Sequence, residues 1–127
     1  MFEWHGWATI RKTPVPHEHG ELDQDILSAV KELLAESDGV ADETADLRNT
    51  GGEWHVWLAG RRDDRSPHVE NLYRSVAQLA PGSYGILYTF DSEGSGGWNR
   101  WSMRRGTVRR NRDEDLSPHV GLVEDRP

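Results

Sequence analysis

Large apolar residues fall along this chain in short runs with two distinct periods, which separate strands from helices. From Phe2 to Lys12, the aromatic and β-branched residues Phe2, Trp4, Trp7, Thr9 and Ile10 predict a strand. It ends at Thr13-Pro14-Val15-Pro16, whose prolines cannot donate to a ladder. Between Asp23 and Ser37, Ile26, Leu27, Val30, Leu33 and Leu34 recur at helical spacing, with acids in the first turn and Gly39 just past the end, and predict an amphipathic helix. Ser66-Pro67 supplies an N-cap and first-turn pair for a second helix. Its apolar face is Val69, Leu72, Tyr73, Val76 and Leu79, and Pro81-Gly82 stops it.

Three further segments carry strand character. Glu53 to Arg61, entered through the turn Asn49-Thr50-Gly51-Gly52, predicts the second strand of a hairpin whose first strand lies in the acidic stretch from Val40 to Arg48. Ser83 to Phe90 is apolar almost throughout, as expected of a central strand or one covered on both faces. Trp98 to Arg105 predicts another strand that continues past Gly106 through Val108, followed from Asn111 by an irregular tail. The order β-α-β-β-α-β-β implies an α+β fold, an antiparallel sheet with two helices packed on one face, as a ferredoxin-like variant with an added strand. The expected core comprises Ile26, Val30, Leu33 and Leu34 of the first helix and Val69, Leu72, Val76 and Leu79 of the second. From the central strand it takes Ile86 and Tyr88 or their neighbours.

Composition narrows the class. The 127 residues suit one domain spanning 1–127, and six Trp, three Tyr and two Phe concentrate the buriable area in a few side chains. There is no cysteine, hence no disulfide framework or thiolate metal site, which favours a reducing compartment. The amino terminus lacks the basic start and apolar stretch of a signal peptide, and no segment approaches the ~20 apolar residues of a membrane span. A cytoplasmic protein is expected. Residues 1–50 hold eleven acids against four bases, which equals the whole net charge of −7. Such a field repels phosphate backbones and anionic membrane surfaces and accelerates encounter with a basic protein.

Three tryptophan pairs share one spacing: Trp4 with Trp7, Trp54 with Trp57, and Trp98 with Trp101. Residues three apart on a strand face opposite sides, so each pair sends one indole toward the helices and one away from them. Core and cross-strand packing account for such residues. If the outward members share the uncovered sheet face, they form an aromatic patch of the kind that anchors protein interfaces.

No catalytic constellation stands out. His17-Glu18-His19, with His5, Glu21 and the acids Asp63 and Asp64, is the nearest approach to a metal-dependent hydrolase, but the spacing is not that of a zinc motif and a solvated proline-flanked loop explains the same residues. Asp113-Glu114-Asp115 is likewise read as a solvated run rather than a cation site. Arg104, Arg105, Arg109, Arg110 and Arg112 beside Trp98 and Trp101 have the composition of a single-strand nucleic-acid binder; salt bridges to the acidic half are the simpler expectation. No cofactor is expected.

The opening Phe2-Glu3-Trp4-His5-Gly6-Trp7, the segment Ser83 to Tyr88, and the end Asp115-Leu116-Ser117-Pro118 followed by Glu124-Asp125 together resemble the type-seven family of bacterial immunity proteins from polymorphic toxin systems. The resemblance extends over nearly the whole chain. It departs after Ser117-Pro118, where His119-Val120-Gly121 stands in place of the family's frequent Cys and second Pro. It implies an α+β fold, no enzymatic activity, and a cytosolic partner that is a cognate toxin domain encoded next to it, in the setting of bacterial competition.

The acidic segment leaving the first helix is the candidate partner-binding site: Glu32, Glu36, Asp38, Asp42 and Glu43. Glu32 and Glu36 lie four apart, away from the Leu33 and Leu34 stripe, and gain nothing from each other. A solubilising surface has the same composition.

Overall fold

In a computed structural model, which describes residues 1–13, 22–36, 42–94 and 97–116, the chain forms six strands and two helices. In chain order they are β1 (Phe2–Ile10), α1 (Gln24–Ala35), β2 (Glu43–Thr50), β3 (Glu53–Arg62), α2 (His68–Leu79), β4 (Tyr84–Asp91), β5 (Trp98–Arg104) and β6 (Thr107–Asp113). All pair antiparallel in one sheet of order β2-β3-β1-β4-β5-β6.

The α+β class and the two helices on one face are as the periodicities imply; the strand count is not. The segment from Trp98 to Val108, expected to run as one strand, folds back at Arg105-Gly106, where φ is 51° and 74°. Two consecutive positive φ values make the tight turn whose twist matches a right-twisted hairpin. Glycine takes that conformation freely and Arg105 accepts it at some cost. Asn111 to Asp113, expected in the tail, therefore belong to β6. Gly51 and Gly52, at φ 64° and 87°, turn β2 into β3 in the same way.

Alternation along β1 places Phe2, Trp4, Ala8 and Ile10 against the helices and leaves His5 and Trp7 exposed. Val56 and Leu58 of β3, Leu87 of β4, and Trp101 and Met103 of β5 continue the inner face. Asp23 caps α1 by accepting the Asp25 N–H at 2.9 Å. At α2 the capping position is Pro67, one residue later than expected, and the Ser66 hydroxyl still accepts the His68 N–H at 3.3 Å.

Several core assignments shift by one position. In α1, Leu27, Val30 and Leu34 are buried, while Ile26 and Leu33 pack only partly against the core. In α2, Val69, Leu72, Tyr73 and Val76 are buried but Leu79 is exposed. In β4 the buried residues are Gly85, Leu87 and Thr89; Ile86 and Tyr88 point to the other side, so this strand is covered by helices on one face only. Leu34→Ala should accordingly cost about 2–5 kcal/mol in urea unfolding, and Leu33→Ala distinctly less. Equal losses would mean that α1 turns a different edge to the sheet.

One contact ties the helix layer to the middle of the sheet. The buried Tyr73 hydroxyl donates to the Trp7 carbonyl at 2.9 Å, and burial raises its pKa well above the ordinary phenol range. Gly85 makes room for it: a Cβ there would lie 2.8 Å from that hydroxyl and 2.1 Å from the carbonyl oxygen.

Candidate functional site

Two surfaces come into question: the uncovered face of the sheet, and the acidic segment leaving α1. On the uncovered face the tryptophan spacing has the consequence expected of it. Trp4 and Trp101 are buried and Trp54 packs partly into the core, while their partners Trp7, Trp98 and Trp57 stand on the open side. Register then gathers the outward residues. Trp7 lies directly opposite Trp57 on one side and Ile86 on the other, and His5 lies between Ala59 and Tyr88. Phe90 is opposite Trp98, with ring centroids 5.3 Å apart. Trp7 meets Tyr84 edge to face at 5.9 Å, and His55 meets Trp57 at 5.4 Å. Even so, Trp7 and Trp57 remain 38% and 41% exposed.

Charged residues around this aromatic centre are paired with one another. Glu53 holds Arg11 at 2.6 Å, Asp46 holds Arg48 at 2.6 Å, and Asp113 holds Arg100 at 3.2 Å. The Glu3 carboxylate accepts from the His5 ring at 2.7 Å and from Arg61 at 3.2 Å. Those hydrogen bonds, the one from His5 foremost, hold its carboxyl below the usual glutamate range against the opposing effect of partial burial. Between the rim and the indoles lies a hollow of about 340 Å³ walled almost wholly by apolar atoms of Trp7, Trp57, Ala59, Ile86 and Tyr88. A second hollow adjoins it at His5, Thr44 and Ala59 and reaches Glu3, Arg61 and Asp42.

The acidic segment is spread over two layers. Glu32 is exposed on α1, and Glu36, just past its end, is exposed with its carboxylate 3.9 Å from the His68 ring. Asp38 lies outside the described residues. Asp42 is exposed at the start of the edge strand, with φ 64°, and its carbonyl accepts the Arg61 N–H at 3.3 Å. Glu43 differs: its side chain is only 1% exposed, Oε1 is bound by the Arg62 guanidinium, and Oε2 has no hydrogen-bond partner among the described residues. It faces the helix layer, not an incoming protein.

Residues 1–125 match the family model of Immunity protein 7. The chain belongs to that family. No curated protein and no solved structure matches it. This Immunity protein 7 member thus matches the family suggested by Phe2 to Trp7, Ser83 to Tyr88 and the Ser117-Pro118 end.

The other readings take on definite geometry in the Immunity protein 7 chain. Trp98 and Trp101 sit on opposite faces of the sheet, and the Trp101 indole N–H donates to the Thr89 hydroxyl at 2.9 Å inside the core. The pair therefore does not form one platform for stacking bases. Nor do Arg104, Arg105, Arg109, Arg110 and Arg112 make the salt bridges expected of them: among the described residues none pairs with a carboxylate, because they lie on the β5-β6 hairpin, at the sheet edge farthest from the acidic strand β2. Arg110 instead lies over the Trp101 ring at 5.6 Å. His17, His19 and Glu21 fall outside the described residues. Within those described, no three His, Asp or Glu side chains converge as metal ligands, and no helix is long and apolar enough to cross a membrane. Asp63 and Asp64 are exposed.

The outward aromatics of β4 were not legible as a surface from the chain alone. Ile86, Tyr88 and Phe90 alternate with Gly85, Leu87 and Thr89, and the inner set is no more apolar than the outer one. The glycine, which leaves space for Tyr73, was the signal that could have assigned the sides.

Proposed function

We propose that this chain protects the cell that makes it by binding and neutralising a cognate polymorphic-toxin domain in the cytoplasm, and that it does so by occupying the toxin rather than by catalysing a reaction. Membership of the Immunity protein 7 family carries the reading. In support stand an uncovered sheet face rich in tryptophan and tyrosine and a negative charge concentrated in the first fifty residues. The arrangement β2-β3-β1-β4, with α1 following β1 and α2 following β3, supports the ferredoxin-like description, to which β5 and β6 add a hairpin.

In this reading the acids Glu32, Glu36, Asp38 and Asp42 steer a basic toxin surface toward the protein. Glu43 is left out of that set by its pairing with Arg62. Reversing Glu32, Glu36 and Asp42 to Lys should leave the fold intact, since all three are exposed, with a small loss of stability from lysine at the positive φ of position 42. It should slow association with the toxin domain by about tenfold or more and flatten its salt dependence. Stopped-flow binding at two ionic strengths, beside survival of cells expressing the toxin, measures both. Unchanged association rates would remove the strip from the encounter, and failure of the wild-type chain to bind or protect would remove the immunity function itself.

A further inference from the structure

An antiparallel sheet backed by helices on one side ordinarily shows water a polar face. Here four adjacent strands, β3, β1, β4 and β5, present Trp57, Trp7, Tyr84, Ile86, Tyr88 and Trp98 to the open side. Cross-strand packing accounts for the contacts of Trp7 with Tyr84 and of Trp57 with His55. It does not account for two tryptophans that keep more than a third of their surface in water at the middle of the sheet, beside a hollow. Trp and Tyr in that position, ringed by charged groups most of which are paired, match the composition and layout of the energetic centre of a protein interface.

We infer that the uncovered sheet face is the surface that grips the toxin, and that the hollow among Trp7, Trp57, Ala59 and Tyr88 receives a long basic side chain of the toxin whose cation meets Asp42. This deepens the toxin-binding reading and rests on it.

Charge selects that occupant. The basic groups lining the two hollows, His5 and Arg61, are both held by Glu3, while Asp42 makes no ion pair among the described residues and lines the adjoining hollow. The nearest unmet charge is therefore negative, at the end of an apolar slot with indole walls. Lysine and arginine fit both parts, an aliphatic stem over aromatic surface and a charged tip beyond it.

The surface divides the kinetics. Steering by Glu32 and Glu36 acts on the association rate, an anchor in a hollow acts on the lifetime of the complex, and Asp42, beside that hollow, contributes to both. The test uses the full chain and the purified toxin domain encoded beside it. Trp57→Ser removes one wall of the hollow. Ala59→Lys fills it and places a like charge where the toxin's cation would go. Both positions are on the open face, so the far-ultraviolet spectrum and melting temperature should stay near wild type. Each variant should weaken binding by about thirtyfold or more, mainly through faster dissociation, and lose protection in cells. If the wild-type chain binds and both variants dissociate at its rate, the face is not the interface, while the immunity function stands. If the wild-type chain does not bind, both fall. Wild-type protein that sediments as a dimer, and Trp57→Ser that sediments as a monomer, would assign the face to a second copy and overturn the proposal.

Discussion

Trp101→Ala is expected to destabilise the protein by about 3–5 kcal/mol, in the range typical of removing a buried tryptophan. The indole is 4% exposed on the inner face of β5, between the sheet and the helix layer. Its N–H donates to the Thr89 hydroxyl at 2.9 Å, and the guanidinium groups of Arg74 and Arg110 lie over its ring at 5.4 and 5.6 Å. Truncation opens a cavity and leaves the buried Thr89 hydroxyl without that donor, and two cations lose the aromatic surface beneath them. Urea unfolding of Trp101→Ala and Trp98→Ala measures the contrast: Trp98, on the open face, should cost much less. Comparable losses for the two would mean that the open face carries as much packing as the core, and would weaken the case for its being held free for a partner.

Gly85→Ala is expected to lose about 3 kcal/mol or more, through overpacking and a broken buried hydrogen bond acting together. The added Cβ would come 2.1 Å from the Trp7 carbonyl oxygen, 2.7 Å from the Ala8 Cα and 2.8 Å from the Tyr73 hydroxyl. Two of these are backbone of the neighbouring strand, held by β1 pairing with both β3 and β4, so relief requires the sheet to part. The third is the hydroxyl that ties α2 to that strand. Tyr73→Phe removes only the tie and should cost about 1–3 kcal/mol. Gly94→Ala, where the nearest atom is 3.4 Å away, should stay within about 0.5 kcal/mol. Thermal and denaturant unfolding of the three variants gives the order. A near-neutral Gly85→Ala would show that the β1 and β4 backbones stand farther apart at this point.

Both variants act where periodicity gave no instruction. The two helices were legible because five apolar residues at helical spacing can bury only one stripe. Their exact inward edge was not, since a stripe containing both Leu33 and Leu34 permits a rotation that only the sheet resolves in favour of Leu34. The hairpin at Arg105-Gly106 was missed because arginine is not a residue that announces a positive φ, and the strand character continues on both sides of it. Glu43 resembled its neighbouring surface acids in sequence, and strand pairing alone brought Arg62 onto it.

By itself the sequence determined that this protein has an α+β fold with one indole of each tryptophan pair on either side of the sheet, because a strand's period of two allows residues three apart no other arrangement. Which indole faced inward, and that the outward ones would meet in a single patch beside an apolar hollow, was decided by the tertiary structure. The first tryptophan points inward in β1 and β3 and the second does so in β5. Strand period is a local property of the backbone. The side each strand turns to the helices, and the register that sets Trp7 between Trp57 and Ile86, depend on all six strands packing at once.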